Sequence, residues 1–304
     1  MSDSLSLKTS MVFAYGEPGP MAPDVVRLVA NNPSPFTFKG TNTYLVGRDS
    51  LAVIDPGPDD PAHHGAILKA ASGRPITHIL VTHTHRDHVD GLERLVESTG
   101  ARTCGFGSPM LAPRGSLASS PSGEDFVKGD FVPDLRLGHG SRIAGEGWTL
   151  EALHTPGHAP DHLCFAHLQS GALFSGDHVM AWNTSVIAPP EGRMADYLAS
   201  LQLLLARGGD TVYLPGHGGR VEQPLRQVKA FLLHRRWREQ AILDAIRGGR
   251  TTIRTIVPVV YRDLDDRLLA AATLSVLAHV EHLLDRGLVA CDGPLAPDRA
   301  LSAA

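Results

Sequence analysis

Short apolar and β-branched runs separated by Gly, Pro and Asp open the chain. Val25 to Asn31, Asn42 to Val46 and Leu51 to Ile54 predict successive strands with an antiparallel start. The spacing from Pro61 to Ser72 predicts a helix, the apolar run Ile76 to Thr82 a buried strand, and Val89 to Thr99 a second helix, which Asp90 could cap. Residues 107 to 123, rich in Ser, Pro and Gly, predict a long irregular connection of the kind that overhangs a site. Strands resume at Thr149 to Leu153, His162 to Ala166 and Ala172 to Phe174; a helix at Met194 to Ala206 and a strand at Thr211 to Leu214 close the series. Two similar halves of strands flanked by helices give a four-layer sandwich.

Beyond Gly219 the pattern changes. A helix from Pro224 to Ile246, a break at Gly248 and Gly249, two more helical runs and a short strand at Leu288 to Ala290 predict a small helical domain. The chain is therefore divided into residues 1–219 and 220–304. Residues 225–290 hold eleven Arg or Lys against seven Asp or Glu, in a chain of net charge −4. So mild an excess reads as a solvated helix face more readily than as a nucleic-acid surface.

A chain of 304 residues with 42% hydrophobic content can bury a sizeable core. Its apolar runs fall short of the roughly 20 residues that cross a bilayer. The opening MSDSLSLKTS lacks the basic, apolar and small-residue pattern of a secretory signal, so the expected location is the cytoplasm, with no membrane partner. Cys104, Cys164 and Cys291 form no C-x-x-C pair and are expected to be reduced thiols. The sixteen histidines, by contrast, crowd into a few Gly- and Pro-flanked segments, which points to metal.

The decisive segment is ILVTHTHRDHVDG, where an apolar strand runs into His83, His85, Asp87 and His88. On extended backbone His83 and His85 project to the same side and can grip one ion; Asp87 and His88 follow as the chain turns into the helix near Val89, aimed at a neighbouring position. TLEALHTPGH with His158, ALFSGDH with Asp177 and TVYLPGHG with His217 repeat one grammar, a strand ending in a Gly-containing turn with a ligand type at its tip. If these strands end on one edge, seven imidazoles and carboxylates converge. Such donors, without thiolate, suit zinc and also iron or manganese.

In this order the T-H-x-H-x-D-H string, the H-T-P-G-H turn, the G-D pair and the P-G-H-G turn resemble the metallo-β-lactamase superfamily over roughly residues 24 to 219. GTNTYLVG (Gly40 to Gly47), IDPG (Ile54 to Gly57), GHAPDH (Gly157 to His162) and GRMADYLASL (Gly192 to Leu201) narrow the resemblance to the β-lactamase-like protein 2 group, whose winged-helix appendage corresponds to residues from about Pro224. The resemblance implies an αββα sandwich with a small C-terminal winged-helix-like α domain. It implies two zinc ions, one held by His83, His85 and His158, the other by Asp87, His88 and His217, with Asp177 between them. Two metals about 3.5–4 Å apart lower the pKa of a shared water and present hydroxide to an ester-type bond, with Asp87 as the catalytic orienting group. The group includes an animal endoribonuclease, so the implied partners are a small-molecule ester (phosphodiester, thioester or lactone) or single-stranded RNA, with a homodimer as an expected assembly.

Asp55, in the IDPG turn, reads equally as an outer acceptor for a ligand imidazole and as a turn former. Tyr197 is a candidate substrate contact whose bland reading is core packing. Arg235, Arg236 and Arg238 read as a solvated face before a phosphate-binding one. His154, Asp161, His162 and His178 read as supporting groups beside the ligands. Two other functions share the scaffold: a mononuclear iron enzyme like the sulfur dioxygenases, and an RNA-binding module acting through the C-terminal domain.

Overall fold

The computed structural model describes residues 7–108, 127–262 and 268–304. Of the predicted irregular connection at 107–123, only residues 107 and 108 lie within the described residues. A seven-stranded sheet runs in chain order through β1 (Gly19–Ala22), β2 (Val25–Val29), β3 (Asn42–Val46), β4 (Leu51–Ile54), β5 (Ile76–Leu80), β6 (Arg102–Gly105) and β7 (Leu135–Arg136). The first four strands pair antiparallel and the rest parallel. The second sheet, β8 (Arg142–Gly145), β9 (Trp148–His154), β10 (Leu163–His167), β11 (Ala172–Gly176) and β12 (Val212–Pro215), has the order β12-β11-β10-β9-β8.

β3 and β4 are buried at every position because both faces of their sheet are covered, which explains why they read as short apolar and β-branched runs rather than alternating ones. One face meets the second sheet: Tyr44, Ile54 and Leu80 pack with Leu150, Phe165 and Phe174, and the indole of Trp148 donates to the Ser50 carbonyl across the gap at 3.1 Å. The outer face packs on α1 (Pro61–Ala71), α2 (Arg86–Val89) and α3 (Leu92–Thr99) through Ile67, Val89 and Leu95. The outer face of the second sheet packs on α4 (Met194–Arg207) and the start of α5 (Pro224–Arg247) through Tyr197, Leu201, Val228 and Phe231. The result is the expected four-layer sandwich.

The predicted single helix at Val89 to Thr99 is two helices. α2 begins at Arg86, so Asp87 and His88 lie inside it, and Asp90 ends it facing Arg86 at 3.4 Å instead of capping the next helix, whose N-cap is Gly91. A separate core joins the end of α5 to α6 (Ile253–Val260), α7 (Leu269–Asp285) and the hairpin of β13 (Val289–Cys291) with β14 (Leu301–Ala303), a small winged-helix unit. α5 thus contributes to two cores. The solvated-face expectation fails for two of its arginines. Arg235 is 3% exposed and donates to the Ser185 carbonyl, and Arg238 donates to the Val260 carbonyl at 2.5 Å; Arg236 is exposed. Among the described residues no helix is long and apolar enough to cross a membrane.

Candidate metal centre

β9 and β11 both run antiparallel to β10, and β12 runs parallel to β11, so their carboxyl ends share one edge. The turns that leave this edge carry His158, Asp177 and His217. β4 and β5 are parallel in the facing sheet and lead to Asp55 and to the His83–His88 segment. The two sheets are joined at this edge, where the backbone N–H of Asn42 donates to the Gly216 carbonyl at 2.7 Å. All seven predicted ligand residues meet here, in three groups whose donor atoms lie within 4.8 Å of one another: His83, His85 and His158; His83, His88 and Asp177; and Asp87, His88 and His217.

Within the first group His85 Nδ1 stands 3.0 Å from both His83 Nε2 and His158 Nε2. In the third, His217 Nε2 is 3.3 Å from His88 Nε2 and 3.3 Å from Asp87 Oδ2. Asp177 lies between them, with Oδ2 3.3 Å from His217 Nε2 and 3.7 Å from His158 Nε2, and Oδ1 3.6 Å from His88 Nε2. Gly216 keeps this space open, since a Cβ there would lie 2.6 Å from Asp177 Oδ1.

The outward nitrogen of each imidazole decides what faces inward. Asp55 Oδ2 accepts from His88 Nδ1 at 2.8 Å, and the carbonyls of Val186 and Gly40 accept from His158 Nδ1 and His217 Nδ1 at 2.6 and 3.3 Å. The Thr82 hydroxyl spends its hydrogen on Asp55 at 2.8 Å, so toward His83 Nδ1, 3.0 Å away, it accepts. In its neutral form each of these four rings turns the Nε2 lone pair inward. Lone pairs 3.0–3.3 Å apart repel unless a cation or a proton sits among them. The buried Asp177 Oδ1 has no hydrogen-bond partner. Crowded acceptors, an orphaned carboxylate oxygen and an all-imidazole and carboxylate donor set fit divalent metal.

Protonation follows the same asymmetry. Burial, then the neighbouring His88 and His85, holds His83 well below the usual histidine range, and burial with His85 lowers His158 to about 4. Burial opposes charge on His88 too, but Asp87, Asp177 and Asp55 outweigh it and raise His88 to about 9; His217 is raised well above its usual value by Asp177 and Asp87. Burial alone would raise Asp87 and Asp177, yet His88 and His217 hold both far below the usual carboxylate range. A cation bound on the Asp87 side would therefore compete with protons on His88 and His217.

Residues 36–217 match the family model of the Metallo-beta-lactamase superfamily. The chain belongs to that superfamily. It is a superfamily hydrolase with His and Asp groups able to hold divalent metal. Residues 252–294 match the beta-lactamase associated winged helix domain. The chain is 31% identical over 281 residues to the Beta-lactamase-like protein 2 homolog of Drosophila melanogaster, covering 86% of this chain and 88% of the relative. It is 28% identical over 270 residues to the homolog of the same name in Caenorhabditis elegans, covering 87% and 85%. The fold is shared with a beta-lactamase domain protein from Burkholderia ambifaria, at a TM-score of 0.81 and 23% identity, covering 97% and 95% of the two chains.

Asp55 satisfies both of its readings: it sits in the turn at φ 53 and accepts from His88. Tyr197 is no substrate contact, because its ring is 0% exposed in the outer core and its hydroxyl donates to the His178 carbonyl at 3.0 Å. Asp161 accepts the backbone N–H of Thr84, between His83 and His85, at 2.9 Å, and His162 Nε2 accepts that of Asp177 at 3.2 Å. Glu191, 3.4 Å from His85 Nε2, was not legible in the sequence; an acid in a PPEG turn has no spacing relation to a ligand.

Proposed function

We propose that this superfamily hydrolase is dinuclear, zinc-dependent and directed at an ester-type bond, a phosphodiester, thioester or lactone. The observation that carries the reading is the overlap of the donor groups: His83 and His88 each serve two of the three, and the Asp177 carboxylate lies between the outer pair. In the proposed assignment His83, His85 and His158 would hold one ion and Asp87, His88 and His217 the other, with the Asp177 carboxylate placed among both groups. Bound there, the pair supplies Lewis acidity toward the scissile oxygen and a water of lowered pKa.

The chain's own groups do the rest. Thr41 donates to Asp87 Oδ2 at 2.9 Å, fixing a carboxylate whose side chain is still 28% exposed. Held in this way, Asp87 would orient a water at the mouth of the centre, while the four other outward hydrogen bonds keep the ring nitrogens from competing as donors. The proposed partners are a small-molecule ester or single-stranded RNA; a cytoplasmic homodimer divided at 219/220 completes the proposal.

Elemental analysis followed by parallel assays with bis-p-nitrophenyl phosphate and a thioester tests the reading. Two zinc ions per chain and hydrolysis of one substrate, lost on chelation and restored by zinc, are expected. A single iron with oxygen consumption, or two zinc ions with no esterase activity of any class, would overturn it.

A further inference from the structure

The segment between β11 and α4 touches the metal centre at two points. The Val186 carbonyl accepts from His158, and Glu191 Oε2 stands 3.4 Å from His85 Nε2. His85 differs from the other imidazoles in facing the donor group through Nδ1. Its proton therefore belongs on Nε2, and Glu191 is the hydrogen-bond acceptor that this nitrogen finds among the described residues.

Glu191 is held where it is by contacts on both flanks. Gly192 N–H donates to the Ala188 carbonyl at 2.8 Å, in a turn so tight that a Cβ on Gly192 would lie 2.5 Å from the Ala188 nitrogen. Arg193 N–H donates to the carbonyl of Gly157, the residue before His158, at 2.8 Å, and its guanidinium pairs with Asp285 of α7 at 2.9 Å. At the other end the buried Arg235 of α5 holds the Ser185 carbonyl. The side chain of Glu191 is only 15% exposed, so its carboxylate meets His85 in a partly dehydrated setting, where a charge-assisted hydrogen bond gains strength.

We propose that Glu191 is a positioning residue for His85: it keeps the proton on Nε2 and so presents Nδ1 to the cation held by His83, His85 and His158. The inference rests on the dinuclear reading. Each outer group then has one carboxylate behind one imidazole, Asp55 behind His88 and Glu191 behind His85. Their strengths differ: Asp55 is 2% exposed and 2.8 Å from its ring, whereas Glu191 is longer and wetter. Loss of such partners typically costs 10- to 100-fold in metal affinity, and Glu191 belongs near the lower figure, about 10-fold.

Zinc competition against a chromophoric chelator, with cobalt(II) absorption as a second readout, tests this on the full chain as wild type, Glu191→Leu and Glu191→Gln. The expected result is about a 10-fold loss at one of two sites in Glu191→Leu, with a changed cobalt band and an unchanged second site. Glu191→Gln, whose amide oxygen accepts the same bond, recovers most of the loss. Wild-type affinity at both sites in Glu191→Leu, or an equal loss in both variants, overturns the proposal. Fewer than two ions on the wild type would sink the dinuclear reading instead, and the ratio among the three proteins still decides the role of Glu191.

Discussion

Replacing Asp55 by Asn changes which nitrogen of His88 carries the proton while leaving the backbone almost untouched. Asp55 sits at φ 53, a left-handed conformation that Asn tolerates as well as Asp, whereas Ala would add a backbone penalty of about 1–2 kcal/mol. Its carboxylate is 2% exposed and accepts three hydrogen bonds, each 2.8 Å long, from the Thr82 amide, the Thr82 hydroxyl and His88 Nδ1. In Asp55→Asn the amide oxygen can keep the Thr82 amide, but the NH2 then faces His88 Nδ1 and Thr82 Oγ1 as a donor. His88 Nδ1 must become an acceptor, and its proton moves to Nε2, the atom 3.4 Å from Asp87 and 3.6 Å from Asp177. A protonated Nε2 cannot ligate.

The magnitude follows from the bond lost. A hydrogen bond to a charged, buried partner contributes about 1.5–3 kcal/mol, which is about 10- to 150-fold in a dissociation constant. Zinc titration against a competing chelator, run beside circular dichroism of the metal-free protein to confirm folding, measures it. One site should weaken by that factor in a folded protein, and Asp55→Ala should lose both affinity and stability. Two zinc ions held by Asp55→Asn with wild-type affinity would refute the tautomer argument, since no other neighbour among the described residues hydrogen-bonds Nδ1 of His88.

Three further outcomes are expected. Gly216→Ala would put a methyl 2.6 Å from both Asp177 Oδ1 and His88 Cε1, so it should cost about 1–3 kcal/mol and leave fewer than two zinc ions per chain; full zinc content by elemental analysis would contradict the close packing. Tyr197→Phe removes a buried donor to the His178 carbonyl and should lower stability by about 1 kcal/mol in denaturant titration with KM unchanged; a raised KM at unchanged stability would restore Tyr197 as a substrate contact. Glu239 lies against His282 at 2.6 Å, and although burial alone would raise it, the nearby imidazole of His279, 3.8 Å away, and the hydrogen-bonded His282 lower it to about 2. A depressed carboxylate stabilises the fold above its unfolded pKa of about 4.3 and loses that contribution as pH falls toward 2, so chelator-treated Glu239→Gln should show a flatter loss of stability between about pH 5 and pH 2; an acid limb identical to wild type would count against the pairing.

The strand-and-turn grammar was legible because the ligand-bearing segments follow largely apolar strands, as Ile76–Leu80 precedes His83 and Ala172–Gly176 precedes Asp177. The small strands β1, β6, β7, β8 and β14 escaped reading. They are two to four residues long and owe their pairing to partners elsewhere in the chain, as β6 does to β5, so no local periodicity marks them. The start of α2 was misplaced because Arg86, Asp87 and His88 show no apolar period; it is the turn geometry after His85 that begins the helix. Arg235 and Arg238 look like a solvated basic face until α5 is seen to be covered on that side by the Ser185 turn and α6.

What the sequence could not supply is the direction in which each imidazole faces. His83, His88, His158 and His217 turn Nε2 inward, and His85 turns Nδ1 inward, yet nothing in the ligand motifs separates the two choices. The choice is made by outward partners between 1 and 177 residues away, Thr82 for His83, Asp55 for His88, Val186 for His158, Gly40 for His217 and Glu191 for His85. These partners come from loops at one sheet edge and are assembled only once both sheets and the segment before α4 have packed. Metal affinity at this centre is therefore a property of the tertiary fold as much as of its seven donors, and variants of the outward partners should shift affinity while leaving every ligand in place.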